Sequence, residues 1–217
     1  MTHTVDLFWS FRSPYSYIVT PKLIELERDY DAKVNVRPVL PIAVRQPDFF
    51  SNADPLWFSY LMRDCVRSAE FAGLTLRWPR PDPVVMDFAT RTYPKEQPYI
   101  HRLTRLGQLA SERGFGLELL RWVSHTIWSG EVEGWNEGDH LAKAVAKAGG
   151  DLDEMDAIIE AEADRLDAAI KQSEADQRLG GHYGVPLMVY EGEPFFGQDR
   201  YDQLVWRMQQ KGLAARA

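Results

Sequence analysis

A serine stands at a polar corner near the start of the chain, in the stretch LFWSFRSPYSYIV from Leu7 to Val19. An apolar run typical of a strand ends at Arg12-Ser13-Pro14, and a helical pattern follows. Serine is a favoured N-cap and proline suits the first helical position, so capping alone could explain the pair. A hydroxyl placed there could also donate to an anion, since a helix N-terminus favours negative charge. Ser13 is therefore the first candidate for chemistry.

Two further stretches carry polar or special residues near the other end of the chain. GHYGVPLMV contains Val185-Pro186 just before a predicted strand, and GQDR contains Gln198-Asp199 before the last predicted helix. Each signal is weak alone, because a proline before a strand is common and Asp199 could simply cap the helix. His182, in the first stretch, could act as a proton shuttle, or it could pack in the loop or face solvent.

Redox and metal chemistry by the protein's own side chains are not expected. Cys65 is the only cysteine, which excludes an internal disulfide, a CxxC pair and a cysteine-rich zinc site. Its helical setting, YLMRDCVRSAEFAG, favours an inert packed thiol. His101 and His125 lie in helical segments without a second ligand four residues on, so no metal site is predicted.

Composition limits the partners. The chain has 217 residues, 45% of them hydrophobic, and can bury a sizeable core. The net charge of −7 and the lack of a basic stripe argue against a nucleic-acid partner. No apolar run approaches the roughly 20 residues that span a bilayer, and the N-terminus lacks the pattern of a signal peptide. We expect a cytoplasmic protein without a membrane partner.

The two ends of the chain differ from its middle. Residues 4–10 and 33–39 alternate apolar and polar residues as strands do, with a helical pattern between them. PLMVYEGEPFFG reads as a hairpin turning at Glu191-Gly192, and DRYDQLVWRMQQKG as a closing helix. The middle is helical or loop-like, including an acid-rich run after Asp151 that reads as a solvated helix face.

A β-α-β unit and a β-β-α unit around a helical block indicate an α/β fold of the thioredoxin type with a large α-helical insertion. We predict a thioredoxin-like domain from residues 1–42 and 182–217, and an α-helical insertion domain from residues 43–181. In such a layout Ser13, Val185-Pro186 and Gln198-Asp199 fall at one edge of the sheet. Three weak signals then mark one cleft.

FRSPYSYIV and GVPLMVYEGEPFFGQDR, with the layout around them, resemble 2-hydroxychromene-2-carboxylate isomerases and the related kappa-class glutathione transferases, of the DsbA-like thioredoxin superfamily. The resemblance covers nearly the whole chain. It implies glutathione as the cofactor, with Ser13 at the sulfur and Val185, before a cis-Pro186, pairing through its backbone with the cysteinyl part. Gln198 and Asp199 would hold the γ-glutamyl end, and Asn52 would correspond to a glutathione-binding asparagine.

Three aromatic residues are candidates for the acceptor pocket. Phe11 and Tyr15 flank Ser13 and could line the pocket or belong to the core. Trp57 stands where the family often has a lysine, and it too could be a pocket wall or a packed core residue.

The resemblance implies a glutathione-dependent cis-trans isomerase of aromatic compound catabolism. It would act on 2-hydroxychromene-2-carboxylate or a related aromatic pyruvate by reversible thiolate addition, and a homodimer is expected. A serine cannot form a mixed disulfide, so the sulfur must come from a ligand, and a hydroxyl donating to a thiolate lowers its pKa. The alternatives are a kappa-like glutathione transferase with the same site, and a non-catalytic thioredoxin-fold binding protein in which Ser13 is only a cap.

Overall fold

The computed structural model describes residues 2–87 and 92–216, so residues 88–91 of the predicted insertion lie outside the described residues. The strands in this part of the chain are β1 (His3–Trp9), β2 (Ala32–Pro38), β3 (Leu187–Tyr190) and β4 (Glu193–Phe196). The α-helices in the same ranges are α1 (Pro14–Asp29), α2 (Ile42–Arg45), α3 (Pro55–Phe71), α4 (Ile100–Glu112), α5 (Gly116–Trp128), α6 (His140–Lys147), α7 (Leu152–Ala161), α8 (Ala163–Leu179) and α9 (Tyr201–Gln210). A short 3-10 turn, Gln198–Arg200, precedes α9.

Both ends of the chain contribute to one four-stranded sheet, in the order β2-β1-β3-β4. β1 and β2 are parallel and are joined by α1, whereas β3 runs antiparallel to β1, with Phe8 opposite Leu187. The predicted thioredoxin-like α/β fold with a helical insertion is confirmed. Because β1 and β2 are parallel, the segments that follow them leave the sheet at the same edge.

Local sequence signals explain the strands. In β2 the side chains of Val34 and Val36 are buried while those of Lys33 and Asn35 are exposed, which is the period of two that the sequence shows. β1 and β2 each begin and end one residue earlier than the predicted 4–10 and 33–39, a difference within ordinary boundary uncertainty. The hairpin turns where expected, with positive φ at Glu191 (49°) and Gly192 (82°), as a type I′ turn requires.

The insertion packs against the sheet through β2. α4 and α8 both contact this strand. Ser111 Oγ, on α4, donates to the Val36 carbonyl, and Arg37 forms an ion pair with Asp176 on α8. One continuous cluster of buried side chains includes residues of the sheet and of the insertion helices. The predicted division into domains 1–42 with 182–217 and 43–181 stays a prediction.

Across the two described stretches, no helix combines the length and the apolar character that crossing a bilayer requires.

Candidate functional site

Ser13 caps α1. Its backbone is extended (φ −98°, ψ 116°), Pro14 occupies the first helical position, and Ser13 Oγ accepts a hydrogen bond from the Ser16 N–H at 3.2 Å. The Ser13 N–H donates to the Ser10 carbonyl at 3.1 Å, which fixes the turn after β1. The capping role deduced from the sequence is therefore present in the structure.

The proton of the same hydroxyl is held weakly. Ser13 Oγ lies 3.4 Å from the Val185 carbonyl oxygen. That distance exceeds the 2.5–3.0 Å usual for O–H···O hydrogen bonds, so this bond contributes little. An anion at normal hydrogen-bond distance would compete successfully for the proton, because charge-assisted hydrogen bonds are about twice as strong as neutral ones. Ser13 can thus cap the helix with a lone pair and donate its proton elsewhere.

Ser13 lies in the wall of a cavity of about 330 Å³. The cavity is bounded by the segments that follow β1 and β2, by α3, and by the loop before β3. Most of its wall is apolar or aromatic, and it also contains two serines, two arginines and a histidine. The residues that line it are Ser10, Arg12, Ser13, Pro14, Tyr15, Pro41, Ile42, Ala43, Arg45, Phe49, Phe50, Trp57, Tyr60, Leu61, His182, Tyr183, Gly184, Val185 and Phe196.

Val185 lies beside Ser13 in this cavity wall. The Val185–Pro186 peptide bond is cis, as the resemblance implies. The Val185 N–H donates no hydrogen bond to any other described residue, so this donor is available to a ligand. The Pro186 carbonyl accepts from the Gly197 N–H at 3.0 Å, which ties the loop to the turn that carries Gln198 and Asp199.

Gln198 and Asp199 are not in the cavity wall. They lie in the 3-10 turn that follows Gly197, the residue hydrogen-bonded to the Pro186 carbonyl, and this turn contacts α1. The Asp199 side chain is exposed and pairs with Arg200 at 2.8 Å. Asn52 lies in a neighbouring, more open hollow of about 650 Å³ that shares Phe49, Trp57 and Tyr183 with the cavity. These three polar residues therefore lie around the cavity, outside its wall.

Tyr15 is held in the wall by a network on α3. Its hydroxyl donates to Asp64 Oδ2 at 2.7 Å, and Asp64 also accepts from Tyr60 at 3.1 Å. Burial and the neighbouring Asp64 carboxylate raise the pKa of Tyr15 above its usual value. Tyr15 is therefore a fixed neutral donor. Its ring is a rigid part of the wall.

Trp57 is a wall residue and Phe11 is not. The Trp57 side chain is 41% exposed and its ring contacts that of Phe49, with centroids 5.9 Å apart, so the alternative of core packing does not apply. Phe11 is only 1% exposed and packs edge-on against Trp9 at 4.7 Å. The chain turns after β1 so that the Phe11 side chain enters the core while Arg12 and Ser13 face the cavity. The structure does not bring Phe11 to the pocket.

His182 forms one side of the cavity as part of a ring stack. Its ring lies between those of Phe196 and Tyr183, at centroid distances of 3.7 and 4.7 Å. Nδ1 accepts a hydrogen bond from the Gly184 N–H at 2.9 Å, which places the proton of the neutral ring on Nε2. Burial lowers the pKa of His182 and favours this neutral form.

Sequence reasoning missed the two arginines of the wall. Arg12 follows β1 and forms hydrogen bonds to both oxygens of Asp82, at 3.1 and 3.3 Å. Arg45 ends α2, the short helix after β2. The available signal was topological: residues just after two adjacent parallel strands meet at one sheet edge, where α/β proteins commonly bind ligands.

Comparisons with known proteins agree with this architecture. A model of the DSBA-like thioredoxin domain matches residues 4–209. A search of curated protein sequences gives no significant match. The solved structures include a 2-hydroxychromene-2-carboxylate isomerase at 21% identity, with a TM-score of 0.70 and 95% of each chain covered.

Two oxidoreductase structures are also similar. A probable DsbA oxidoreductase from Streptomyces coelicolor has 17% identity and a TM-score of 0.68, covering 99% of this chain and 93% of that one. The cytosolic disulfide reductase DsbM from Pseudomonas aeruginosa, solved with GSH, has 16% identity and a TM-score of 0.59, covering 95% and 99%. Likeness at these identities shows the fold.

Proposed function

The chain belongs to the DSBA-like thioredoxin domain family, and from that premise we propose that it is a glutathione-dependent cis-trans isomerase of an aromatic pyruvate such as 2-hydroxychromene-2-carboxylate. The observation that supports this most directly is the position of Ser13. Its hydroxyl has a weakly held proton and lies at a helix N-terminus, in the wall of a cavity rich in aromatic side chains. The only cysteine, Cys65, is fully buried on α3. Disulfide exchange by the protein's own thiols is therefore not part of the proposal.

The residues around the cavity fit glutathione. The Val185 N–H is available, and the Ser10 hydroxyl in the wall is buried with no hydrogen-bond partner among the described residues. Glutathione in DsbM, a protein of the same fold, supports this choice of ligand. We assign Ser13 to the sulfur, the Val185 and Pro186 backbone to the cysteinyl part, and Gln198, Asp199 and Asn52 to the ends of the tripeptide.

Bound glutathione would supply a thiolate that adds reversibly to a conjugated acceptor, allows rotation about a carbon-carbon bond and leaves again. The protein's own part is to hold and orient. Ser13 donates to the sulfur and favours its charged form. Trp57 and Tyr15 present flat walls to a planar acceptor, and the bond from Tyr15 to Asp64 fixes one of them. Such positioning can lower a barrier by several kcal/mol.

The test combines binding with turnover. At a glutathione concentration 100 times its dissociation constant, the free energy of unfolding should rise by about 2.7 kcal/mol. With a hydroxybenzylidene pyruvate, the purified protein should equilibrate the cis and trans forms only when glutathione is present. Titration of free thiols should then find all the glutathione that was added.

Two outcomes would contradict the proposal. Stoichiometric consumption of glutathione with a halogenated aromatic acceptor, without isomerisation, would assign the chain to kappa-like transferases. A protein that glutathione neither stabilises nor activates would be a binding protein with Ser13 as a cap.

The proposal includes a homodimer, supported by the exposed apolar side chains of α3. Leu56 is 78% exposed and Phe71 is 92% exposed, which is unusual for large apolar residues of one helix. Light scattering should give twice the chain mass for the natural protein and a lower mass for Phe71→Glu. A natural protein that is monomeric at micromolar concentration would contradict this part.

A cytoplasmic location also belongs to the proposal. Glutathione sets the reducing potential of the cytosol, and the structural neighbour DsbM is a cytosolic disulfide reductase.

A further inference from the structure

The cavity wall contains two guanidinium groups, and they differ in how their charge is balanced. Arg12 is paired with Asp82, which also accepts from the Trp78 indole at 3.2 Å. Arg45 forms no ion pair with any carboxylate in the described ranges. The cavity therefore has one positive charge that the protein does not neutralise by direct contact.

Among the residues that the structure describes, Arg45 donates hydrogen bonds only to neutral acceptors. It donates to Gln177 Oε1 at 3.1 Å and to the Tyr183 carbonyl at 3.0 Å. A guanidinium has five N–H donors, so these two bonds leave three unused, including the buried Nε, which has no partner among the described residues. A half-buried charge with unused donors is costly unless an anion completes the set.

The carboxylate of Glu174 acts on Arg45 electrostatically but does not accept a hydrogen bond from its unused donors. Glu174, on α8, accepts from the Leu40 N–H at 3.1 Å and interacts with Arg45 only over a longer distance. Burial lowers the pKa of Arg45 and is opposed only in part by Glu174. Glu174 is itself partly buried, and this burial raises its pKa. The charge of Arg45 is thus less well satisfied than that of Arg12.

We propose that Arg45 binds the carboxylate of the aromatic acceptor, and that the cavity selects planar unsaturated acids over their uncharged analogues. Arginine presents a fork that matches a carboxylate, and Phe49 and Trp57, which line the same cavity, suit the ring of such an acid. This inference rests on the proposed function, because the acceptor named there is an acid. A carboxylate of glutathione has the same chemistry, and the experiment separates the two sources.

The experiment measures binding without turnover, in the absence of glutathione. trans-Cinnamate and trans-cinnamamide share a ring and a double bond and differ in the charged group. The natural protein should bind cinnamate roughly tenfold to a hundredfold more tightly, as one charged hydrogen-bonded contact allows, read by calorimetry. Arg45→Met should abolish the preference. Arg45→Lys should restore part of it. In a separate titration, glutathione should bind all three proteins equally.

Arg178→Met is the matched control. Arg178 is an exposed residue of α8 that also acts on Arg45 electrostatically, and it is not in the cavity wall. Removing its charge should leave the preference for cinnamate intact. If Arg178→Met loses the preference as fully as Arg45→Met, the effect is general electrostatics and the inference is wrong.

The remaining outcomes are also decisive. A preference that persists in folded Arg45→Met overturns the inference, and so does a natural protein that binds acid and amide equally. If Arg45→Met loses affinity for glutathione and keeps the preference for cinnamate, Arg45 serves glutathione instead. If cinnamate binding behaves as expected while no isomerisation occurs with glutathione, the proposed function fails and the carboxylate site stands.

Discussion

Replacing Phe11 with alanine should lower the free energy of unfolding by about 3 to 5 kcal/mol, the usual cost of deleting a fully buried aromatic ring. Phe11 is 1% exposed and packs edge-on against Trp9. α4 passes close to the ring at Gly107, where a Cβ atom would lie only 3.1 Å from Phe11 Cε2. The ring therefore fills the space between β1 and α4, and its deletion should leave a cavity there.

Chemical denaturation of the two proteins would measure this difference, and Leu179→Ala is the control. Leu179 is 86% exposed at the end of α8, so its truncation should change stability by less than about 0.5 kcal/mol. The sequence left Phe11 open as a pocket residue or a core residue. A Phe11→Ala protein of natural stability with weakened acceptor binding would restore the pocket assignment.

The strands and the hairpin could be predicted because their signals are local. The alternation of β2 and the Glu191-Gly192 turn each depend on a few neighbouring residues and on steric rules that hold in any fold. The joining of the two chain ends into one sheet followed from the order of the elements. Such features need no knowledge of side-chain packing.

The site could be predicted only in part. Ser13, Tyr15, Trp57 and Val185 line one cavity, which the convergence of elements at one sheet edge foresees. The direction of the Phe11 side chain also depends on contacts distant in sequence, such as the hydrogen bond from the Trp128 indole to the Phe11 carbonyl at 2.9 Å.

Arg45 was missed for a related reason. Its partners, Gln177 and the Tyr183 carbonyl, lie 132 and 138 residues away, so nothing near it in sequence marks it. Its placement depends on how α8 and the loop before β3 pack against α2. Local sequence patterns do not reveal that packing.

Replacing Ser13 with alanine should lower the isomerisation rate per folded molecule by roughly tenfold to a hundredfold, the value of one hydrogen bond to an anion. The Ser13 proton is held only by the 3.4 Å contact to Val185, so it is available to a thiolate. The same change removes the N-cap of α1, which should cost about 1 kcal/mol of stability. The two losses must be separated.

Two further variants separate them. Asp151→Ala removes the cap of α7, where Asp151 accepts from the Glu154 N–H at 3.0 Å, and should lose similar stability with unchanged turnover. Ser13→Asp keeps a capping oxygen on α1 and places a negative charge beside the sulfur, so stability should be kept and turnover lost. If Ser13→Asp and Ser13→Ala both turn over at the natural rate, Ser13 is only a cap.

The pKa of bound glutathione gives a direct reading of the same contact. A free cysteine thiol titrates near 8.5, and a hydrogen bond donated to the thiolate stabilises the charged form and lowers that value. The thiolate absorbance of bound glutathione should therefore appear at lower pH with the natural protein than with Ser13→Ala. At neutral pH the variant should hold more protonated thiol, which is a poor nucleophile, and the loss of rate should shrink as the pH rises. Titration curves that coincide for the two proteins would mean that the Ser13 hydroxyl does not reach the sulfur.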